Sequence, residues 1–291
     1  IVRYSDIAGS LKNRRTSLAD ASEGITRFSV GLAKKILLAN QAALIVSEFK
    51  ASGEKTVLFY WLYTVSYMLH IYFDFSGYSD MAIGLGRIFG FRFSENFNYP
   101  YISSSITEFW RRWHISLGGW FRDYLYIPLG GNRVKPLRHV FNILVVWAAT
   151  GFWHGAAWNF ILWGLLYAVL LLFEKYVLRP NMRLKVPMHI YTLLFVALGF
   201  ILFDSATVGD ALVSFKAMLG FSGLPAADAA SLYYLRSNAV LLVVSAAGAT
   251  PLPKRICEKI GETALGKRIF SVAVPASAAA LIAVCTAYLI D

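Results

Sequence analysis

Residues 138–175 form an apolar run too long to cross a membrane once, with a basic residue at each end. One helix of that length would extend about 55 Å at 1.5 Å per residue, against a hydrocarbon core of about 30 Å. Arg138 and Lys175 both favour the cytoplasmic side. The run therefore reads as an up-and-back pair of helices, broken around Gly151–Gly155. The stretch "GFWHGAAWNF" at 151–160 puts His154 at that break, away from the cytoplasm. Interrupted helices at membrane depth occur where they line a cavity or are buried in protein. A polar ring there costs free energy unless something satisfies it. His154 is thus either a packing residue with a hydrogen-bonded ring or a group that does chemistry at depth.

The rest of the chain predicts an all-α, polytopic integral membrane protein with transmembrane and re-entrant or interfacial helices. Its composition, 57% hydrophobic and 15% aromatic, exceeds the roughly 45–50% apolar content of soluble domains. Further spans are read at 25–49, 56–75, 189–204, 237–252 and 269–290. Lys34 and Lys35 interrupt the first and are expected to snorkel to an interface. Segment 84–138 mixes Arg, Trp, Gly and Pro without a full apolar span, which suits an amphipathic or re-entrant element. The basic regions 84–138, 175–185 (with Arg179 and Arg183) and 253–268 are expected on the cytoplasmic side, and the nearly neutral 205–236 outside. No soluble domain or internal repeat stands out, so 1–291 is read as a single membrane domain. The opening "IVRYSDIAGS" has neither an initiator Met nor a signal-peptide pattern. It is expected to continue a longer protein whose N-terminal helices precede it.

The net charge of +11 follows from basic cytoplasmic loops, and no DNA- or RNA-binding motif accompanies it. Membrane lipid is an expected partner and nucleic acid is not. Cys257 and Cys285 have the spacing of neither a disulfide framework nor a metal site.

Among candidate residues, His154 comes first. As a general base, a neutral ring keeps an accepting nitrogen available, with Trp153 and Trp158 excluding water and Asn159 bonding a ring nitrogen or a substrate. In "FWRRWHISL", His114 follows Arg111 and Arg112. The arginines would hold an anionic acyl donor through charge-assisted bonds, or the trio would only contact lipid headgroups. Two histidines without a third ligand make a poor zinc site, so no metal is expected. Asp74 and Asp80 sit late in a membrane helix, where acidic residues are functional candidates; Asp74 with Arg87 is equally readable as a structural pair. His70, His139 and His189 lack distinctive context and read as structural. "GLGRIFG" fails the dinucleotide pattern because Phe89 stands where glycine is needed, and neither a nucleophile elbow nor a P-loop occurs.

Three blocks, "DFSGYSDMAIGLG" (74–86), "FWRRWHISLGGWFRDYLYIPLGGNR" (109–133) and "WHGAAWNFILWG" (153–164), together resemble the membrane-bound O-acyltransferase family. The block "YIPLGGNR" is more similar to its bacterial alginate O-acetylation branch than to the teichoic-acid D-alanylation proteins. "IVRY" is similar to a segment midway along such proteins. The resemblance implies a multi-helix ring around a thin centre, with a tunnel joining the two faces. It places the family's membrane histidine on His154 and its second histidine on His114. It implies transfer of an acetyl group from a cytoplasmic donor, acetyl-CoA, toward an exported polysaccharide, without a tightly bound cofactor. The implied partners are periplasmic acyltransferase proteins, and the implied location is the bacterial inner membrane. Sibling acylation of peptidoglycan or teichoic acid, and a non-enzymatic channel or transporter, are the alternatives.

Overall fold

In a computed structural model of the chain, residues 2–178 and 184–290 are described. Ile1 of the opening segment, and Arg179 and Arg183 of the basic region 175–185, lie outside the described residues. The described chain is helical and, among those residues, holds no strand. In chain order the helices are α1 (Tyr4–Lys12), α2 (Leu18–Ala33), α3 (Asn40–Ala51), α4 (Val57–Ile88), α5 (Ile106–Arg112), α6 (Ile115–Phe121) and α7 (Pro136–His154). They continue with α8 (Trp158–Phe173), α9 (Lys185–Asp204), α10 (Val208–Met218), α11 (Ala229–Ser237), α12 (Ala239–Gly248), α13 (Leu252–Gly261) and α14 (Ala264–Ile290). Lys34–Ala39, Arg122–Tyr126 and Glu174–Leu178 are π-helical turns.

Leu18–Ala51, Trp158–Leu178, Lys185–Asp204 and Ala264–Ile290 are each long and apolar enough to cross a membrane. The span read at 237–252 corresponds to a shorter helix, α12, which reaches spanning length only together with α11. Asn238 separates the two, so the apolar pattern begins one helix earlier than its composition suggests. The segment read as a span at 56–75 is helical and longer than expected, α4 running for 32 residues through "SGYSDMAIGLGRI", but it is not among the four helices apolar enough to cross. The expected break in 138–175 is present, with α7 ending at His154 and α8 starting at Trp158.

The chain forms two compact units, 1–51 with 66–96 and 235–291, and 52–65 with 97–234. In the first unit α2 and α4 pack backbone to backbone along glycines. A Cβ on Gly24 would lie 2.6 Å from the Gly84 carbonyl oxygen, and one on Gly31 the same distance from that of Gly77. No larger residue permits that approach. Ion pairs alternate with these contacts. Arg87 bonds Asp20 and Glu23, Asp80 accepts from Arg27 Nη2 at 2.8 Å and from Lys34 Nζ at 2.6 Å, and Lys35 bonds Asp74. This corrects two expectations. Lys34 and Lys35 do not snorkel outward, because carboxylates on the facing helix receive them. Asp74 pairs with Lys35, and Arg87 with other acids.

In the second unit α7 and α8 meet as closely. A Cβ on Gly151 would lie 2.3 Å from the Phe160 carbonyl oxygen, and one on Gly164 2.2 Å from that of Trp147. Two glycines on one seam thus hold the two arms of the hairpin together and fix where His154 stands. Beside them Trp110, Trp147, Trp163 and Tyr167 interlock with ring centroids 4.8–6.3 Å apart. Offset and edge-on geometries of this kind contribute beyond simple burial.

Candidate active site

The site grows from the end of α7. His154 closes the helix, Gly155 caps it, and the backbone N–H of Gly155 donates to the Phe152 carbonyl. The half-buried imidazole stands edge-on to Trp153, Trp163 and Phe203, at centroid distances of 4.9, 5.2 and 5.2 Å. Among the described residues neither ring nitrogen of His154 has a hydrogen-bond partner. The other structural candidates differ. His70 Nδ1 donates to the Ala39 carbonyl at 3.0 Å, and His189 Nδ1 to that of Ser103 at 2.9 Å. His139 lies 3.0 Å from Lys175 Nζ, 3.0 Å from Tyr176 Oη and 3.1 Å from Tyr126 Oη. A packing histidine would share their pattern. His154 does not.

The aromatic wall is not the one the sequence suggests. Trp158 is 72% exposed, because α8 restarts there with its own helical phase, and it does not shield the ring. Trp163, one and a half turns further along α8, and Phe203 near the end of α9 take that place. Trp153 is 52% exposed yet touches both candidate histidines, with His114 at 6.3 Å. Asn159 is buried, but its amide donates to the Ser205 carbonyl at 3.0 Å and reaches that of Phe203 at 3.5 Å. It fastens α8 to the end of α9 and so holds Phe203 against His154.

His114 is buried at the corner between α5 and α6, with φ +46°. Left-handed backbone at a residue other than glycine costs about 1–2 kcal/mol and persists only where its surroundings over-determine it. Its Nδ1 lies 3.5 Å from Ser116 Oγ. The two arginines before it separate. Arg112 is engaged, through Nε to Glu108 at 2.9 Å and Nη1 to the Asn98 carbonyl at 3.0 Å. Arg111 is exposed and has no partner among the described residues. Asp74 belongs to the other unit, where Lys35 holds it.

One residue escaped the sequence reading. Glu174, only 1% exposed, caps the N-terminus of α5, accepting from Ile106 N at 2.5 Å and from Thr107 N and Oγ1 at 2.9 and 2.7 Å. A buried carboxylate at a helix N-terminus meets both unpaired N–H groups and the positive end of the dipole. It sets the start of the helix that carries Arg111 and leads to His114. The signal was a lone acid inside "LLLFEKY". Among the described residues no three His, Cys, Asp or Glu side chains cluster as a metal site would require.

The bend of this apolar hairpin thus carries an imidazole with no protein hydrogen bond among the described residues. The profile of the membrane-bound O-acyltransferase family matches residues 13–208. The chain belongs to that family. It is 42% identical over 231 residues to a probable alginate O-acetylase of Azotobacter vinelandii, covering 78% of this chain and 46% of the relative. A peptidoglycan O-acetyltransferase of Helicobacter pylori is 37% identical over 233 residues, covering 77% and 44%. A teichoic acid D-alanyltransferase of Bacillus subtilis is 32% identical over 198 residues, covering 62% and 50%. The chain spans about half the length of the curated relatives it matches.

Proposed function

We propose that this chain carries the catalytic histidine of a membrane O-acetyltransferase acting in the alginate-like branch. The observation behind the reading is the His154 ring, packed in aromatic rings without a hydrogen bond among the described residues, while His70, His139 and His189 are each hydrogen-bonded. An imidazole kept free of protein partners has its accepting nitrogen open to a substrate hydroxyl. In the proposed step His154 takes the proton of the acceptor hydroxyl as its oxygen attacks the acetyl carbonyl. The C–O bond forms, the C–S bond of acetyl-CoA breaks, and the leaving thiolate recovers the proton. General-base assistance of this kind contributes about 10²–10⁴ in rate. Exposed Arg111 supports binding of the anionic donor, and His114 packs against Trp153, the same ring that packs against His154.

The direction of transfer, from a cytoplasmic donor toward an exported polysaccharide completed by periplasmic acyltransferase partners, rests on similarity to the alginate relatives. So does placement in the bacterial inner membrane. The relatives that act on peptidoglycan and teichoic acid are less similar to this chain over the matched residues.

The test is the acetyl content of secreted polysaccharide, normalised to membrane protein level, in cells carrying the full-length protein with His154→Ala or His154→Gln. Glutamine keeps polar bulk and hydrogen bonding but accepts no proton near neutral pH. Both variants should insert normally and lose acetylation at least about 100-fold. Near-normal acetylation by His154→Gln would remove His154 from the mechanism. Sidedness is read separately: tags near 136 and 184 should both report the cytoplasm and one near 222 the outside.

A further inference from the structure

The first unit contains a cavity of about 280 Å³ remote in sequence from every residue of the proposed chemistry. Thr26 and Val30 of α2, Cys257 of α13, and Phe270, Val274 and Leu281 of α14 line it. The lining is almost wholly apolar, and its size approaches the ~300 Å³ lower end of ligand pockets. On α14 the lining residues recur at helical spacing, so they form one stripe.

Charge lies at the head of that stripe. Lys267 precedes Phe270 by three residues and Lys254 precedes Cys257 by three, so each lysine shares a helix face with a lining residue, one turn beyond it. Both are exposed, and Lys254 has only a loose 3.8 Å contact with Glu258. Segment 253–268 holds five basic residues against two acidic ones. Helix α13 itself buries no residue and leaves Leu252, Ile256 and Ile260 about half exposed beside its cations. An amphipathic basic helix of this kind lies in the headgroup layer of a membrane, where each cation near an anionic surface gains about fivefold in affinity.

We infer that the α2–α13–α14 cavity binds one acyl chain of an anionic phospholipid, with its phosphate held by Lys254 and Lys267. An apolar slot capped by two exposed cations, one of them only loosely paired, matches that lipid and discriminates against a zwitterionic one, whose quaternary ammonium opposes the lysines. The binding is independent of the proposed chemistry at His154.

The test is native mass spectrometry of the full-length protein, released from nanodiscs of phosphatidylglycerol or of phosphatidylcholine, counting lipids that stay bound. Wild-type protein should retain phosphatidylglycerol preferentially. The Lys254→Glu/Lys267→Glu pair should lower that retention on the order of twentyfold. Val274→Trp, which fills the cavity with both lysines intact, should abolish it; if that variant melts early, Ala273→Leu replaces it. Equal retention of the two lipids would overturn the proposal. So would a phosphatidylglycerol preference that survives either the charge reversals or the filled cavity, since the first denies the headgroup contact and the second the chain.

Discussion

Along the α2–α4 seam Asp74, Asp80 and Arg87 each meet an opposite charge, whereas at the end of α7 the His154 ring packs against aromatic rings and has no hydrogen bond among the described residues. Both regions set polar groups among apolar helices, where an unmet polar group is costly. They resolve the cost differently. The first closes its charged groups upon one another, alternating ion pairs with glycine contacts, and the result is register between two helices. The second leaves the imidazole nitrogens unmet among the described residues and packs the ring against aromatic rings that do not bond it. Asp74 and Asp80 are each engaged by a lysine of the facing segment, whereas the His154 nitrogens meet no protein partner among the described residues.

The contrast breaks most easily if the two regions exchange phenotypes. His154→Gln should cost activity at least about 100-fold with little change in melting temperature. Asp80→Asn should do the reverse. It removes the anion shared by Arg27 and Lys34, a half-buried cluster, and the cost should fall between about 1 kcal/mol for exposed pairs and about 3 kcal/mol for buried ones. The activity remaining per folded molecule should stay within a few-fold of wild type. Thermal unfolding in detergent and acetyl transfer, measured on the same preparations, check both. An Asp80→Asn protein that melts normally but is inactive would move that carboxylate into the chemistry.

The glycines sharpen the comparison at smaller magnitude. A methyl at Gly24 or at Gly151 meets a carbonyl oxygen at 2.6 or 2.3 Å, and forced overpacking costs about 1–3 kcal/mol. Both Gly24→Ala and Gly151→Ala should therefore destabilise. Only Gly151→Ala should also lower activity in the folded fraction, because it spreads the hairpin whose bend holds His154. Equal activity losses from the two would mean the seams are not separable in function.

What the sequence made legible follows the same division. The bend could be read because it depends on length and terminal charge, both visible locally in 138–175. The histidine's surroundings could not. Trp158 looked like a shield because it lies near His154 in the chain, but the break at Gly155 resets the helical phase and turns it outward. The actual walls, Trp163 and Phe203, are set by helix–helix packing. The partners of Lys35 and Lys34 lie 39 and 46 residues away, beyond any periodicity argument, so the lysines read as snorkelling. Glu174 was hidden beside Lys175, whose charge served as a topology signal.

The smallest expected effects separate Arg111 from Arg112, which sequence treats as a pair. Arg112 holds Glu108 and the Asn98 carbonyl, while the backbone N–H of Asn98 donates to the Arg112 carbonyl. Arg112→Ala should therefore cost about 1.5 kcal/mol of stability, the low end of the range for hydrogen bonds to charged groups, and alter donor affinity only through that loss. Arg111 is exposed and unengaged among the described residues, so Arg111→Ala should leave stability within about 0.5 kcal/mol. If it holds an anionic donor, KM for that donor should rise several-fold with kcat unchanged, the mark of uniform binding. The difference should shrink as salt screens an exposed charge. Arg111→Lys decides the geometry of the contact: full recovery indicates a point charge, and poor recovery a planar two-pronged bond. A KM effect confined to Arg112→Ala would show that the engaged arginine, not the open one, faces the donor, and would carry Glu108 and Asn98 into the binding site with it.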